Sequence, residues 1–233
     1  VALFRNRTLA AVVLRSTRQR SCSGRARLGP RLCRERLSMT NQTLVIASSN
    51  PGKVREFEGL LNELALTVKA QPDGLEVEET GSTFSANARI KALAVAADTG
   101  EWALADDSGL SVDALDGAPG VHSARYAPSD PERIARLLKA LEFEDDRRAR
   151  FCAALCVAAP DGSVLLEVEG QCKGWITRSP RGDQGFGYDP IFEVEGTQKT
   201  FAEMSLQEKK SHGHRGRAFT LLEPRLQQLL SQQ

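Results

Sequence analysis

The sequence has no long hydrophobic run. None of its apolar stretches approaches the ~18 residues a membrane-spanning helix needs, so no membrane partner is expected. It also lacks a cysteine framework. Of five cysteines, Cys22 and Cys33 lie in the first 38 residues, and Cys152, Cys156 and Cys172 lie in apolar or strand-like sequence. Cys152 and Cys156 have C-x3-C spacing, but FCAALCVAA around them alternates as a buried strand does. That pattern favours small buried hydrophobes over a metal or redox pair. Reduced thiols in turn point to the cytoplasm. Internal repeats are absent, and so is the G-x4-G-K-[ST] spacing of a Walker A loop.

What is present is unevenly charged. The net charge of +1 hides ten arginines, no lysine and one acid, Glu35, within residues 1–38. The body from Met39 onward therefore carries a net charge of about −8. Residues 1–38 share their arginine-rich, acid-poor composition with organelle transit peptides. The favoured reading is a leader outside the native fold, with residues 39–233 forming one domain and Met39 the true first residue. With 41% hydrophobic residues the body can bury a real core. Its acidity argues against a general nucleic-acid partner, whose binding rests on neutralising phosphates. A local basic pocket or a metal ion could still hold a small polyphosphate.

The body's punctuation predicts alternating elements. TLVIAS (43–48) reads as a strand, SNPGK as a turn, and Val54, Phe57, Leu60, Leu61 and Leu64 recur at helical spacing. LALTVKA (64–70) reads as a second strand, and an alanine-rich helix over 83–98 stops at Gly100. WALAD (102–106) reads as a strand running into a loop, DDSG. Asp130-Pro131 opens a helix as cap and first-turn proline, with Ile134, Leu137, Leu138 and Leu141 on its buried face. RFCAALCVAA and SVLLEVEG flank a Pro160-Asp161-Gly162 turn as a hairpin, and QCKGWI reads as a further strand. Ser205 and Glu208 have capping-box spacing, and Phe219, Leu222, Leu226 and Leu229 mark a last amphipathic helix. The expected fold is α/β, a mixed central sheet with flanking helices.

Five segments place polar residues where a plain scaffold does not need them. Ser48-Ser49-Asn50-Pro51-Gly52-Lys53 follows a strand and opens a helix, where backbone N–H groups attract anions. Glu78-Glu79-Thr80-Gly81-Ser82-Thr83 precedes a helix on which Thr83, Asn87 and Lys91 share one face. Asp106-Asp107-Ser108-Gly109 sets two adjacent carboxylates at a strand end, a hard oxygen pair suited to Mg²⁺. Arg125, just downstream, is a candidate phosphate-facing cation. Phe186-Gly187-Tyr188-Asp189 could stack on a base and accept its N–H groups. Lys209, His214 and Arg215 bring basic groups ahead of the last helix. Each segment alone also has a plain structural reading, as turn, cap or solvated face.

Together and in this order, SNPGK, ETGSTFSANARIKA, ADDSGLSVDAL with PGVHSARYA, FGYDPIF, and FAEMS with EKK and HRGRA resemble one family. It is the non-canonical purine nucleoside triphosphate pyrophosphatases, the ITP/XTP or dITP/XTP pyrophosphatases. The resemblance runs from about Thr43 to the C-terminus. It implies Mg²⁺-dependent hydrolysis of ITP, dITP and XTP to the monophosphate and pyrophosphate, which removes deaminated purines from the nucleotide pool. It further implies a homodimer, with the active site in a cleft between two lobes. By motif, Ser48 to Lys53 would hold the phosphates, and Glu78 and Asp107 the metal. Asp107 would also accept the proton of the attacking water, and Ser108 would contact substrate. Phe186, Gly187, Tyr188, Asp189, Lys209, His214 and Arg215 would form the base and phosphate pocket. Where the family often has Ser-His-Arg, this chain has Gly213-His214-Arg215, with Ser211 two residues earlier. A pyrophosphatase with another base preference, or a silent nucleotide-binding module, are the rival readings.

Overall fold

A computed structural model describes residues 41–232; the expectation for residues 1–38 lies outside them. Its centre is one six-stranded mixed sheet in the order β2-β1-β3-β4-β5-β6. The strands are β1 (Gln42–Ala47), β2 (Leu66–Ala70), β3 (Trp102–Val112), β4 (Arg148–Ala158), β5 (Val164–Ile176) and β6 (Phe192–Val194). β1 is parallel to both β2 and β3, and every later pairing is antiparallel. The parallel part comes from two strand–helix–strand crossovers and the antiparallel part from chain reversals. The helices are α1 (Pro51–Leu61), α2 (Phe84–Thr99), α3 (Asp130–Ala140), α4 (Leu206–His212) and α5 (His214–Leu230). Among the described residues no helix is long and apolar enough to cross a membrane.

Three buried clusters organise the layers. α1 and α5 pack on one face of the sheet, with Phe57, Leu61, Phe219 and Leu222 against Leu44, Leu104 and Leu155. α2 covers the other face through Ala88, Ala92, Val95 and Ala96, against Ala103, Ala105 and Ala154. Small residues on both sides allow this helix to sit close. The far halves of β3, β4 and β5 carry a separate core, in which Leu110, Phe151, Cys172 and Phe192 meet Leu137 of α3 and Leu141, the residue that caps its end. The long strands thus link two cores, each large side chain contributing about 1.5–3 kcal/mol of burial. α5 reaches β5 directly at Gly170, where a Cβ would collide with the backbone of His214 and Ala218.

Most sequence expectations for the elements hold. α2 is capped by Thr83 and ended by a left-handed Gly100. Ser205 and Glu208 form the capping box of α4. Three details differ. The cap of α3 is Ser129, boxed with Glu132, so Asp130 and Pro131 already lie in the first turn. SVLLEVEG and QCKGWI are one strand, β5. Most consequentially, DDSG is not a loop. β3 continues unbroken to Val112, pairing Asp106 with Leu155, Asp107 with Ala154 and Gly109 with Cys152. Acids and glycine are poor strand formers, but pairing with β4 overrides that local preference.

Candidate active site

The continuous β3 decides how the two aspartates are used. Side chains alternate faces along a strand. Leu104 points to the α1/α5 face and Ala103 and Ala105 to the α2 face. Asp106 follows Leu104, and Asp107 follows Ala105. The adjacent carboxylates are therefore directed to opposite faces and do not form one chelating pair.

Asp106 is the anchor of a cationic network. Its Oδ2 lies 2.9 Å from Lys53 Nζ and accepts hydrogen bonds from Arg215 Nε at 3.3 Å and Ser108 Oγ at 2.9 Å. Arg215 also donates to Glu56 Oε2 at 2.9 Å and to Ser108 Oγ at 2.7 Å. Burial alone would raise the Asp106 pKa, but Lys53 and Arg215 outweigh it and hold the carboxyl far below its usual range. Burial, together with Arg215 and Lys91, lowers the pKa of Lys53 despite its Asp106 partner.

Asp107 has a different environment. Lys91 Nζ of α2 sits 3.4 Å from its Oδ1, 2.7 Å from Glu79 Oε1 and 2.9 Å from the Asp106 carbonyl. Asp107 Oδ2 is buried without a hydrogen-bond partner. Burial raises the Asp107 pKa, with Glu79 adding to it and Lys91 opposing it. Arg125, the candidate phosphate-facing arginine, instead bonds Glu79 Oε2 at 2.6 Å. Exposure alternates along 75–79, with Leu75, Val77 and Glu79 half-buried and Glu76 and Glu78 exposed. Glu79 is thus the carboxylate that joins Asp107 through Lys91, while Glu78 points to solvent.

A cavity of about 90 Å³ brings most of the expected residues together. Asn50, Lys53, Ser108, Phe186, Gly187, Tyr188, Asp189, His214 and Arg215 all line it, joined by Gly109, Ser123, Ala124, Arg133 and Phe151. Lys209 borders the adjoining hollow and is locked 2.7 Å from Asp189 Oδ2. Ser48, Ser49 and Pro51 line a separate hollow shared with residues 70–76. The start of α1 is already capped, since Asn50 Oδ1 accepts from the N–H of Gly52 at 2.8 Å and of Lys53 at 3.3 Å. Gly52 faces Phe186 rather than open space, and a Cβ there would stand 2.8 Å from the ring.

The two aromatics of FGYD separate in role. Tyr188 is buried in the α3 core and donates its hydroxyl hydrogen to Ser123 O at 3.0 Å. Phe186, half-buried beneath the Arg215 guanidinium at 5.5 Å, is the one left to stack on a ligand. His214 stacks on Phe151 at 4.8 Å, and neither ring nitrogen has a partner. Burial, then Arg215, lowers its pKa well below the usual value, so the imidazole is neutral. Lys91, Glu79, Glu56 and Arg133 belong to the site although the motif reading assigned none of them a role, and Asp106, expected as half of a metal-binding pair, instead engages Lys53 and Arg215. The helical spacing of Lys91 from Thr83 and Asn87 was the signal for the first.

The residues present suit a magnesium ion. Mg²⁺ is commonly held by one or two carboxylates, the rest of its shell being water and substrate phosphate. Asp107 Oδ2, buried without a hydrogen-bond partner, offers one such donor, while the two Glu79 oxygens are held by Lys91 and Arg125. Among the described residues no group of three or more His, Cys, Asp or Glu is placed to hold a metal ion.

Known proteins resemble this chain in sequence and fold. A model of the Ham1 family matches residues 44–225. A dITP/XTP pyrophosphatase of Parasynechococcus marenigrum (strain WH8102) is 75% identical over 190 residues, covering 82% of this chain and 97% of that protein. One from Synechococcus sp. (strain CC9311) is 69% identical over 192 residues, with 82% and 93% covered. The solved HAM1 protein from Coxiella burnetii superposes with a TM-score of 0.74 at 43% identity, covering 80% of this chain and 99% of that one.

Proposed function

The chain belongs to the Ham1 family, and from that premise we propose that it hydrolyses dITP, ITP and XTP to the monophosphate and pyrophosphate with the help of Mg²⁺. The observation that carries the reading is Asp107. Its unpartnered Oδ2 lies on the same short stretch of β3 that supplies Ser108 and Gly109 to the aromatic-lined cavity.

Asp107 and Glu79 would hold the metal, which when bound offsets phosphate charge and makes water easier to deprotonate. Lys91 orients Asp107 by engaging Oδ1, so that Oδ2 remains available. The family resemblance also makes Asp107 the acceptor of the water's proton, a role that competes with metal ligation because a bound cation lowers a carboxylate's basicity. Lys53 and Arg215, positioned by Asp106, offset the charge that develops on the phosphate chain. Phe186 supplies the stacking face, and His214, as a neutral imidazole, can donate to a base carbonyl from one nitrogen. Adenine presents an amino group at the six position, which would meet that donor unmatched.

Action as a cytoplasmic homodimer is part of the same proposal. It is supported by the family resemblance. Pyrophosphate release from dITP, XTP, ATP, GTP and dCTP, with and without Mg²⁺, tests the activity. Preferred turnover of dITP and XTP, abolished by chelation, is expected. Equal turnover of ATP and dITP would overturn the purine-editing reading, and light scattering tests the dimer.

A further inference from the structure

Arg133 is a cavity-lining cation that the motifs do not include. It stands in the first turns of α3, its side chain only 20% exposed. Its Nε donates to Ala127 O at 3.0 Å and its Nη1 to Asp130 Oδ1. Asp130 in turn accepts from the N–H of Gly187 at 2.8 Å through its other oxygen. Arg133 is thereby fixed to the wall formed by the FGYD loop, beside Tyr188 and Ser123. The metal-facing groups Lys91, Glu79 and Asp107 do not line this cavity. A guanidinium offers five N–H donors, and these two bonds use two of them. Nη2 makes no hydrogen bond among the described residues.

The other cations around the cavity are already committed. Arg215 is bound to Glu56, Asp106 and Ser108, and Lys209 is bound to Asp189. Lys53 is held by Asp106. Arg133 alone combines a fixed position on the base-loop wall with spare donors. The purines that must be told apart differ at the two position. Xanthine has a carbonyl there, hypoxanthine a hydrogen, and guanine an amino group. A fixed donor attracts the first, is indifferent to the second and opposes the third, because donor would face donor.

We propose that Arg133 reads the purine two position, favouring the two-carbonyl of xanthine nucleotides and opposing the two-amino group of guanine nucleotides. The inference rests on the pyrophosphatase reading and deepens it. The test compares the wild-type chain with Arg133→Met, which removes donors and charge, and Arg133→Lys, which keeps charge but loses the fork. Values of kcat/KM are measured for XTP, dITP and GTP at saturating Mg²⁺, with thermal midpoints as a fold control. Binding of XMP, IMP and GMP by calorimetry reads base recognition without turnover.

For Arg133→Met, the XTP-to-dITP ratio is expected to fall about 10-fold and the GTP-to-dITP ratio to rise. XMP binding should weaken relative to IMP by a similar factor, and Arg133→Lys should recover part of it. A parallel loss for XTP and dITP would place Arg133 on the ribose or phosphates and overturn the proposal, as would unchanged ratios. If the wild type cleaved no purine triphosphate yet XMP binding still depended on Arg133, the pyrophosphatase reading would fall and the base contact would stand. Loss of both would remove both.

Discussion

Asp106 and Asp107 are neighbours with opposite thermodynamic signs, and that contrast can be measured. Asp106 is only 3% exposed, and two buried cations share its carboxylate. Replacing it by asparagine leaves Lys53 with no carboxylate partner and Arg215 with Glu56 alone. Breaking a buried pair by removing one partner costs about 3–5 kcal/mol. Because Arg215 retains Glu56 and the amide oxygen can still accept a hydrogen bond, Asp106→Asn is expected near the lower end, about 3 kcal/mol. Asp107 is different, because burial raises its pKa and ionisation therefore weakens the fold. Asp107→Asn should leave stability unchanged or increase it, while turnover falls about 10²-fold or more.

The pH dependence separates the two as well. The Asp106 pKa is depressed, so its stabilisation is present above the unfolded value of ~3.9 and is lost as pH falls through the folded one. The Asp107 pKa is raised, so its penalty is present at neutral pH and fades as pH falls through the raised value toward the unfolded one. Urea unfolding of both variants at pH 7, with circular dichroism as readout, gives the two free-energy differences without any substrate. If Asp107→Asn proved as destabilising as Asp106→Asn, the assignment of structural and chemical roles to opposite faces of β3 would be wrong.

Three further outcomes follow from the same geometry. Glu79→Gln should raise the Mg²⁺ concentration needed for half-maximal rate and Glu78→Gln should not, as read from metal titrations of pyrophosphate release. The pKa of His214 is depressed, so below ~6.5 the unfolded chain takes up a proton that the folded chain refuses. The wild-type urea midpoint should thus decline as pH drops below that value, and His214→Phe should reduce the decline while losing the base preference. Lys53→Ala and Arg215→Ala should each lower kcat/KM for every triphosphate alike, leaving a dITP-over-ATP preference of at least ~10² in place.

Much of the fold was legible because it is written in local patterns. The 3.6-residue spacing of Phe57, Leu60 and Leu61, the Ser205–Glu208 box and the Gly100 stop all describe interactions within a few residues. The site's parts were legible as motifs, and the cavity gathers nine of the expected residues. Less legible was anything settled by a distant partner. Nothing near Asp107 announces that Ala154 will pair with it, and without that pairing DDSG has the composition of a turn. Tyr188 reads as a stacking surface until α3 and Ser123 close over it.

Two different local signals bear on Glu78 and Glu79. Counting back from Gly81 selects Glu78. Residues 75–79, LEVEE, also carry a period-two pattern in which Leu75 and Val77 are the apolar members. Those two pack against the α2-side core, and the next position on the same side is Glu79. A carboxylate that continues an inward-facing apolar row needs a partner, and Lys91 of α2 meets it at 2.7 Å. The same period governs β3, where Ala103 and Ala105 lead to Asp107 on the α2 face. Two inward rows, both packed with the α2-side core, therefore end in acids that converge on a single lysine. The pairing of Glu79 with Asp107 follows from alternation in both segments, and neither pair of adjacent acids acts as a pair.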